Sequence, residues 1–494
     1  MPGEIRRVSG WQLLTAFVLG AVTAAGFAPF GLFVLPFLTL AWLMHAWREA
    51  SPARAASLGW SWGLGFFLAG VSWVYVSLKV FGGMPMPLAA FATLLLCMAL
   101  ACYPALIGFA FARLRSGAPA RDALLAAGLW TLVEWMRGWL FTGFPWLALG
   151  YAQSPPSPLA GFAPVLGVYG VTLVAALTAS LAALRSWRAL MLVVALAGGG
   201  FLLRGVAWTQ PEGAPLDVAL LQGNVPQGIK WDPQRAVLSL QTYAALAKAY
   251  PAALTVLPET AIPLFFDETP PDLLKDLTQH GPALVGVPVR MQEGGRVVGY
   301  TNAAVAVSRR ADGGFDAQAY AKRHLVPFGE FAPPGFGWFF GLVNIPMADF
   351  TAGPPAQPPL AVAGQRVAPT ICYEDLFGEE LVRALPAATL LVNLSNTAWF
   401  GDSLAQPQHL QISRMRALET GRPMLRATNT GMTAAIGPDG NVAAALEPFS
   451  TGGLLVQVQG YQGVTPFMRY GNTGAVVLAL LACLPAVLRR RSMR

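Results

Sequence analysis

The chain is short of charge. Only 12% of its residues are Asp, Glu, Lys or Arg, while 55% are hydrophobic, and an ordinary soluble domain carries about twice that charge fraction. A fully water-exposed surface is excluded for much of the chain, so lipid is the expected neighbour. Cysteine is scarce as well. Cys97, Cys102, Cys372 and Cys483 are the full set, and all but Cys372 lie in apolar segments where cysteine behaves as a small hydrophobe. No disulfide framework follows from these four, and Cys372 reads as an unpaired, reactive thiol. The histidines His45, His280, His324 and His409 show no ligand spacing, so no metal site is expected. The net charge of +8 comes from short Lys/Arg clusters between apolar runs. That is the pattern of membrane topology signals rather than of a phosphate-tracking face, and no nucleic-acid partner is expected.

What the chain has in quantity is apolar length. Stretches able to cross a bilayer, about 20 residues each, fall near 10–27, 30–47, 56–78, 87–112, 122–141, 158–184 and 189–207, with an eighth near 473–488. The opening MPGEIRRVSG and the apolar run after it read as an uncleaved first span, because further spans follow directly. Arg6 and Arg7 precede that span. Arg48 and Arg54, then Arg113, Arg115 and Arg121, then Arg185 and Arg188 occupy alternate loops, and the tail carries Arg489, Arg490, Arg491 and Arg494. Positive charge stays cytoplasmic. Both termini are therefore expected inside, with residues 208–472 on the far side of the membrane. The expected division is a seven-helix membrane domain over 1–207, a soluble domain over 208–472, and a final span with a basic cytoplasmic tail over 473–494. Within the membrane part, Glu134 and Arg137 stand one helical turn apart and can share a face; a structural pair and a substrate role are both open. TGFPWLALGYAQ (142–153) reads as an irregular, outward-facing loop near the membrane surface, its aromatics candidates for interface anchors.

Residues 208–472 alternate short β-prone runs (216–224, 254–260, 283–289, 301–307, 367–374 and 388–395) with helical patterns near 233–249, 270–280, 376–384 and 404–420. Continuous apolar strands separated by helices argue a layered α/β sandwich. One stretch breaks the pattern: FAPPGFGWFFGLVNIPMADFTAGPP, 331–355, is dense in aromatics and interrupted by Pro and Gly. It reads as a lid dipping toward the bilayer, with 262–271 as its companion.

Chemistry concentrates at three strand ends. RVAPTICYEDLF delivers Cys372 at the end of an apolar strand, with Glu374 and Asp375 directly after it. A thiol titrates near ~8.5 and attacks well only beside a base or a cation. Glu259, in VLPETAIP, is placed to take the thiol proton, and Lys322, in YAKRHLVPFGEF, to stabilise an oxyanion. Glu330 and Glu374 are further carboxylates that could orient Lys322 and Cys372, or serve as structural ion-pair partners.

In this order and spacing, PET, KRHLVPFGE and CYE resemble the Glu-Lys-Cys centre of the nitrilase superfamily. QGNVPQGIKWD (222–232), LSNTAWFGD (394–402) and RALETGRPMLRATNTG (416–431) extend the likeness. With spans on both sides, the whole chain resembles the apolipoprotein N-acyltransferases. The resemblance implies an α-β-β-α sandwich carrying Glu259, Lys322 and Cys372 as catalytic residues. Trp231, Glu330, Tyr373 and Glu374 would support or shape the site, and Asn302 would do structural work near it. It implies ping-pong transfer of an acyl chain from a phospholipid, in the family usually phosphatidylethanolamine, to the α-amine of a diacylglyceryl apolipoprotein cysteine through a Cys thioester. No cofactor or metal is implied, and a monomer in the bacterial inner membrane, with the catalytic domain periplasmic, is the expectation. Thr397 departs from the family pattern, where the residue is often acidic. The competing readings are a membrane-tethered amidase or hydrolase, and a transporter or scaffold with an inactive domain.

Overall fold

The computed structural model describes residues 9–226, 233–333, 335 and 349–492. Contacts divide it into two compact units. One holds the chain up to Tyr75, Met86–Val206 and everything from Arg469; the other holds Val76–Pro85 and Ala207–Met468.

The first unit is helical. Among the described residues two helices are long and apolar enough to cross a membrane, Met86–Leu114 and Pro158–Ala182, and a third if Pro52–Val71 and the bent-off Val74–Phe81 count together. Gly10–Gly26, Leu35–Trp47, Trp187–Leu203 and Thr473–Leu488 are apolar but shorter. Helices thus stand where the apolar runs place them, and among the described residues length and composition by themselves qualify two or three as spans. Small residues let them touch: a Cβ on Gly59 would lie 2.3 Å from the Pro104 carbonyl oxygen.

Glu134 and Arg137, both buried on Pro119–Arg137, each hold the loop that follows. Glu134 accepts from the Leu149 N–H at 3.0 Å and the Thr172 hydroxyl at 3.0 Å. Arg137 donates to the carbonyls of Phe144 and Trp146, each at 2.6 Å. The 142–153 loop is irregular as expected, but two of its three aromatics are core rather than interface anchors: Trp146 and Tyr151 are each 1% exposed, while Phe144 is half-buried. Buried backbone needs partners, and these two charged side chains supply them.

The second unit is a sandwich of two six-stranded sheets. One sheet runs β1 (Thr209–Gln222), β2 (Leu254–Val256), β3 (Ala283–Glu293), β4 (Arg296–Arg309) and β5 (Phe315–Ala321), with β12 (Gly452–Gly463) paired outside β1. The other is β6 (Leu360–Val362), β7 (Gln365–Ile371), β8 (Leu390–Ser395), β9 (Met424–Thr428), β10 (Ala434–Ile436) and β11 (Val442–Ala445). Each sheet is parallel at its centre, β1–β2–β3 and β7–β8–β9, and antiparallel at its edges.

Alternation along the strands builds four layers. Val218 and Leu220 of β1 meet Ile371, Val392 and Leu394 between the sheets. Ala219 and Leu221, facing the other way, pack under Tyr243 and Leu246 of the helix Pro233–Ala249. On the far side, Ala368, Leu391 and Met424 pack under Leu410 and Ala417 of the helix Ala405–Thr420. Each such Leu or Val, fully buried, contributes about 1.5–3 kcal/mol. The result is the expected α-β-β-α order, with strands buried on both faces at the centre.

Candidate active site

Glu259 and Cys372 stand past the C-terminal ends of parallel strands in opposite sheets, where open α/β sheets present ligand sites. Leu257 N–H still donates to Leu284 O at 2.9 Å, so Pro258 and Glu259 leave the sheet from a rigid base. Gly286 of β3 lies beneath that turn. Lys322 follows β5 and continues its ladder, the Lys322 N–H donating to the Asn302 carbonyl at 2.8 Å. Cys372 opens the single 3-10 turn Cys372–Leu376 with φ +52°, a left-handed conformation costly for a residue with a side chain. Thr260, next to Glu259, is also left-handed at φ +45°. Backbone outliers of this kind cluster where geometry serves function.

The side chains converge in a buried ion cluster. Lys322, 1% exposed, donates from Nζ to Glu330 Oε1 at 2.8 Å and to Glu259 Oε1 at 3.3 Å. Asn302 Nδ2 bridges the same two oxygens, at 2.7 Å to Glu259 and 3.1 Å to Glu330. The second oxygens take backbone donors: Asn396 N–H reaches Glu259 Oε2 at 2.8 Å and Val326 N–H reaches Glu330 Oε2 at 2.8 Å. Two carboxylates and one ammonium are thereby paired and solvated by protein, the condition for keeping charge out of water.

Electrostatics set the resting protonation. Burial first, then the Glu259 charge, hold the Cys372 thiol well above its usual value, with Lys322 pulling the other way. Burial and that carboxylate both favour the protonated thiol over the thiolate. For Lys322 burial works against the charge, yet Glu330 and then Glu259 overcome it and hold the ammonium above its ordinary value. Glu374 forms a second node, accepting from Ile371 N–H at 2.7 Å, Arg323 N–H at 2.6 Å, His324 N–H at 3.1 Å and the Tyr320 hydroxyl at 3.0 Å. Burial pushes it up to about 7, opposed by Lys322 and those backbone N–H groups. One carboxylate thus joins the Cys372 strand to the backbone that carries Lys322. Tyr373 packs among His324 and Phe377, with ring centroids at 5.8 and 5.2 Å.

The structure brings together Glu259, Lys322, Cys372, Glu330, Glu374, Tyr373 and Asn302. Trp231 and most of the 331–355 stretch, with its lid reading, lie outside the described residues. Thr397 is buried and its hydroxyl has no partner among the described residues, so no side-chain contact to the ion cluster replaces the acidic one. Its turn acts through backbone instead: Gln406 Nε2 donates to the Thr397 carbonyl at 3.0 Å, and the preceding Asn396 N–H is the group that holds Glu259. Ser77 Oγ, from the segment Val76–Pro85, donates to the Trp399 carbonyl of this turn at 2.7 Å. Sequence reasoning missed Asn396 because a backbone donor leaves no mark on residue type, although LSNTAWFGD was a recognisable motif.

Residues 19–181 match the family model of the apolipoprotein N-acyltransferase N-terminal domain, and residues 217–465 match that of carbon-nitrogen hydrolases. Curated relatives extend the likeness over nearly the whole chain. An apolipoprotein N-acyltransferase of Nitrosomonas europaea is 47% identical over 490 residues, covering 96% of each chain. One of Ralstonia nicotianae is 46% identical over 494 residues, covering 96% of this chain and 93% of the relative. Another, of Chromobacterium violaceum, is 45% identical over 496 residues, covering 97% of this chain and 94% of the relative. The chain belongs to the apolipoprotein N-acyltransferase family.

Proposed function

We propose that this protein transfers an acyl chain from a phospholipid to the α-amino group of a diacylglyceryl apolipoprotein cysteine, the last step of bacterial lipoprotein maturation. Cys372 is the nucleophile, Glu259 the general base, and Lys322 the cation that stabilises the oxyanion. The observation that carries the assignment is the buried Lys322, held between Glu259 and Glu330 beside a left-handed, strand-end cysteine.

The chemistry follows from the resting charges. The Cys372 proton leaves for Glu259 as Sγ bonds to the ester carbonyl carbon. Negative charge develops on the carbonyl oxygen near the Lys322 ammonium, which needs no reorganisation because its carboxylates already fix it. The C–O bond breaks, Glu259 returns the proton to the departing lysophospholipid alcohol, and a thioester remains. The acceptor amine then attacks the thioester carbonyl, loses a proton to Glu259, and expels Cys372, which is reprotonated as the amide forms. Asn302 and Glu330 keep Lys322 and Glu259 in register through both halves, while Glu374 and Tyr373 shape the Cys372 side; Trp231 completes the set by resemblance. The donor is phosphatidylethanolamine and the enzyme a monomer. The chain crosses the bacterial inner membrane eight times, with residues 208–472 periplasmic and both termini cytoplasmic; alternate-loop arginines support this orientation.

The test is transfer itself. Purified full-length protein in detergent is given phosphatidylethanolamine and a synthetic diacylated lipopeptide, and the peptide mass is followed. Gain of one acyl chain on the peptide amine is expected. Release of free fatty acid with an unmodified peptide would instead establish the hydrolase reading.

A further inference from the structure

Cys372 sits in a conformation that costs an L-residue roughly 1–2 kcal/mol, and such backbone persists only where the surroundings over-determine it. Two groups grip its peptide. Asn393 Nδ2 donates to the Cys372 carbonyl at 3.2 Å, and the His409 ring is also directed at the Cys372 backbone. Both grips are held by one guanidinium: Arg426 donates from Nη1 to Asn393 Oδ1 at 3.2 Å and from Nη2 to His409 Nδ1 at 2.8 Å. Because a guanidinium only donates, His409 Nδ1 must accept. The ring proton is then on Nε2, which faces Asp375 Oδ1 at 2.7 Å. Asp375 closes the circuit, its Oδ2 accepting from Ser413 Oγ at 2.5 Å and from Arg426 Nη1 at 3.3 Å. Asp375 belongs to the same 3-10 turn as Cys372. The cluster therefore grips that turn at both ends, using residues of β8, β9 and the helix Ala405–Thr420.

We propose that Asp375, His409 and Arg426 are positioning residues that lock the Cys372 turn and so aim the thiol at Glu259 and Lys322. The residue types Ser, His and Asp invite a different reading, a second nucleophilic centre, and the geometry excludes it. The Ser413 hydroxyl is committed to Asp375 rather than to the imidazole, His409 Nδ1 is occupied by Arg426, and all are buried. Bulk stability is a poor explanation too, because burying an ion pair costs about as much in desolvation as it returns. What the cluster supplies is a fixed direction for the turn.

The inference rests on Cys372 being the nucleophile, and its test separates the two. Full-length protein in detergent is mixed with phosphatidylethanolamine, and the rate of acyl-mass gain on Cys372 is followed in a single turnover, alongside lipid KM and melting temperature. His409→Leu should slow acylation about tenfold or more at saturating lipid, with KM within twofold, since small misalignments are expensive in rate. His409→Gln, which offers one acceptor and one donor, should recover most of the loss. Should His409→Leu fail to fold, Ser413→Ala removes a single hydroxyl and is expected to slow acylation about threefold. A lowered melting temperature with unchanged acylation in the folded variant would reduce the cluster to a stability element and overturn the inference. No adduct in the unsubstituted protein would remove the nucleophile assignment itself, and the inference with it.

Discussion

Gly286 lies directly beneath Glu259. A Cβ at Gly286 would stand 2.3 Å from the Pro258 carbonyl oxygen and 2.6 Å from the Glu259 Cα, both backbone positions that cannot swing aside. Gly286→Ala must therefore displace the base. Overpacking of this kind costs about 1–3 kcal/mol of stability, and kcat should fall about tenfold or more. Kinetics and thermal melts on the purified variant check it; wild-type kcat in a folded Gly286→Ala would show that the backbone beneath Glu259 tolerates the shift.

Lys322→Met would leave Glu259 and Glu330 buried without their cation. Removing one partner of a buried pair typically costs about 3–5 kcal/mol, and losing the oxyanion-stabilising charge about 10²–10³ in rate. Both losses are expected together, in thermal melts and in the rate of acylation. Lys322→Met with near-normal turnover would detach the ammonium from the mechanism.

Asn302 donates to both carboxylates from one nitrogen, so Asn302→Asp replaces a shared donor with a third negative charge. Like charges raise the proton affinity of a carboxylate cluster. The acid limb of the acylation rate should move to higher pH, and activity at neutral pH should drop. Asn302→Leu, which removes the donor without adding charge, should slow the reaction with a smaller displacement of the limb. Identical profiles for the two variants would confine Asn302 to packing.

Glu374, pushed up to about 7 by burial, ties pH to both stability and rate. An unfolded Glu titrates near ~4.3, so between roughly that pH and 7 the folded state binds more protons than the unfolded one. The contribution of this group to stability is full below the lower value and declines as pH rises through the upper one. Rate should run the opposite way, because an ionised Glu374 accepts from Ile371, Arg323, His324 and Tyr320 at once. Activity should therefore rise as pH climbs through about 7, and Glu374→Gln should be slower and flat over that window. A titration that leaves the Glu374→Gln profile parallel to the wild-type one would assign the limb elsewhere.

Much of the site was readable because its residues end strands. LTVLPET and RVAPTICYE are apolar runs that stop at a carboxylate and a thiol, and the sheet ends there too. The layered α/β class was readable from apolar runs such as VALL in β1 and LLV in β8, while the α-β-β-α order followed from the family resemblance. What was not readable depended on partners distant in sequence. Arg426 sits inside β9 and His409 inside a buried helix, and the partner that neutralises the charge in MLRAT, Asp375, lies 51 residues earlier in the chain. β5, FDAQAYA, has four exposed positions and no continuous apolar signal. Trp146 and Tyr151 looked like interface aromatics because nothing local announces that Arg137 and Glu134 will satisfy the loop's backbone.

The central claim is a thioester on Cys372, and mass spectrometry of the intact protein after incubation with phospholipid alone tests it most directly. The account predicts one added acyl chain, mapped to the peptide carrying Cys372 and transferred when a diacylated lipopeptide is supplied. Cys372→Ser, one atom changed, should keep the fold and lose both adduct and transfer. An acyl chain found on any other residue, or full transfer by Cys372→Ala, would contradict it.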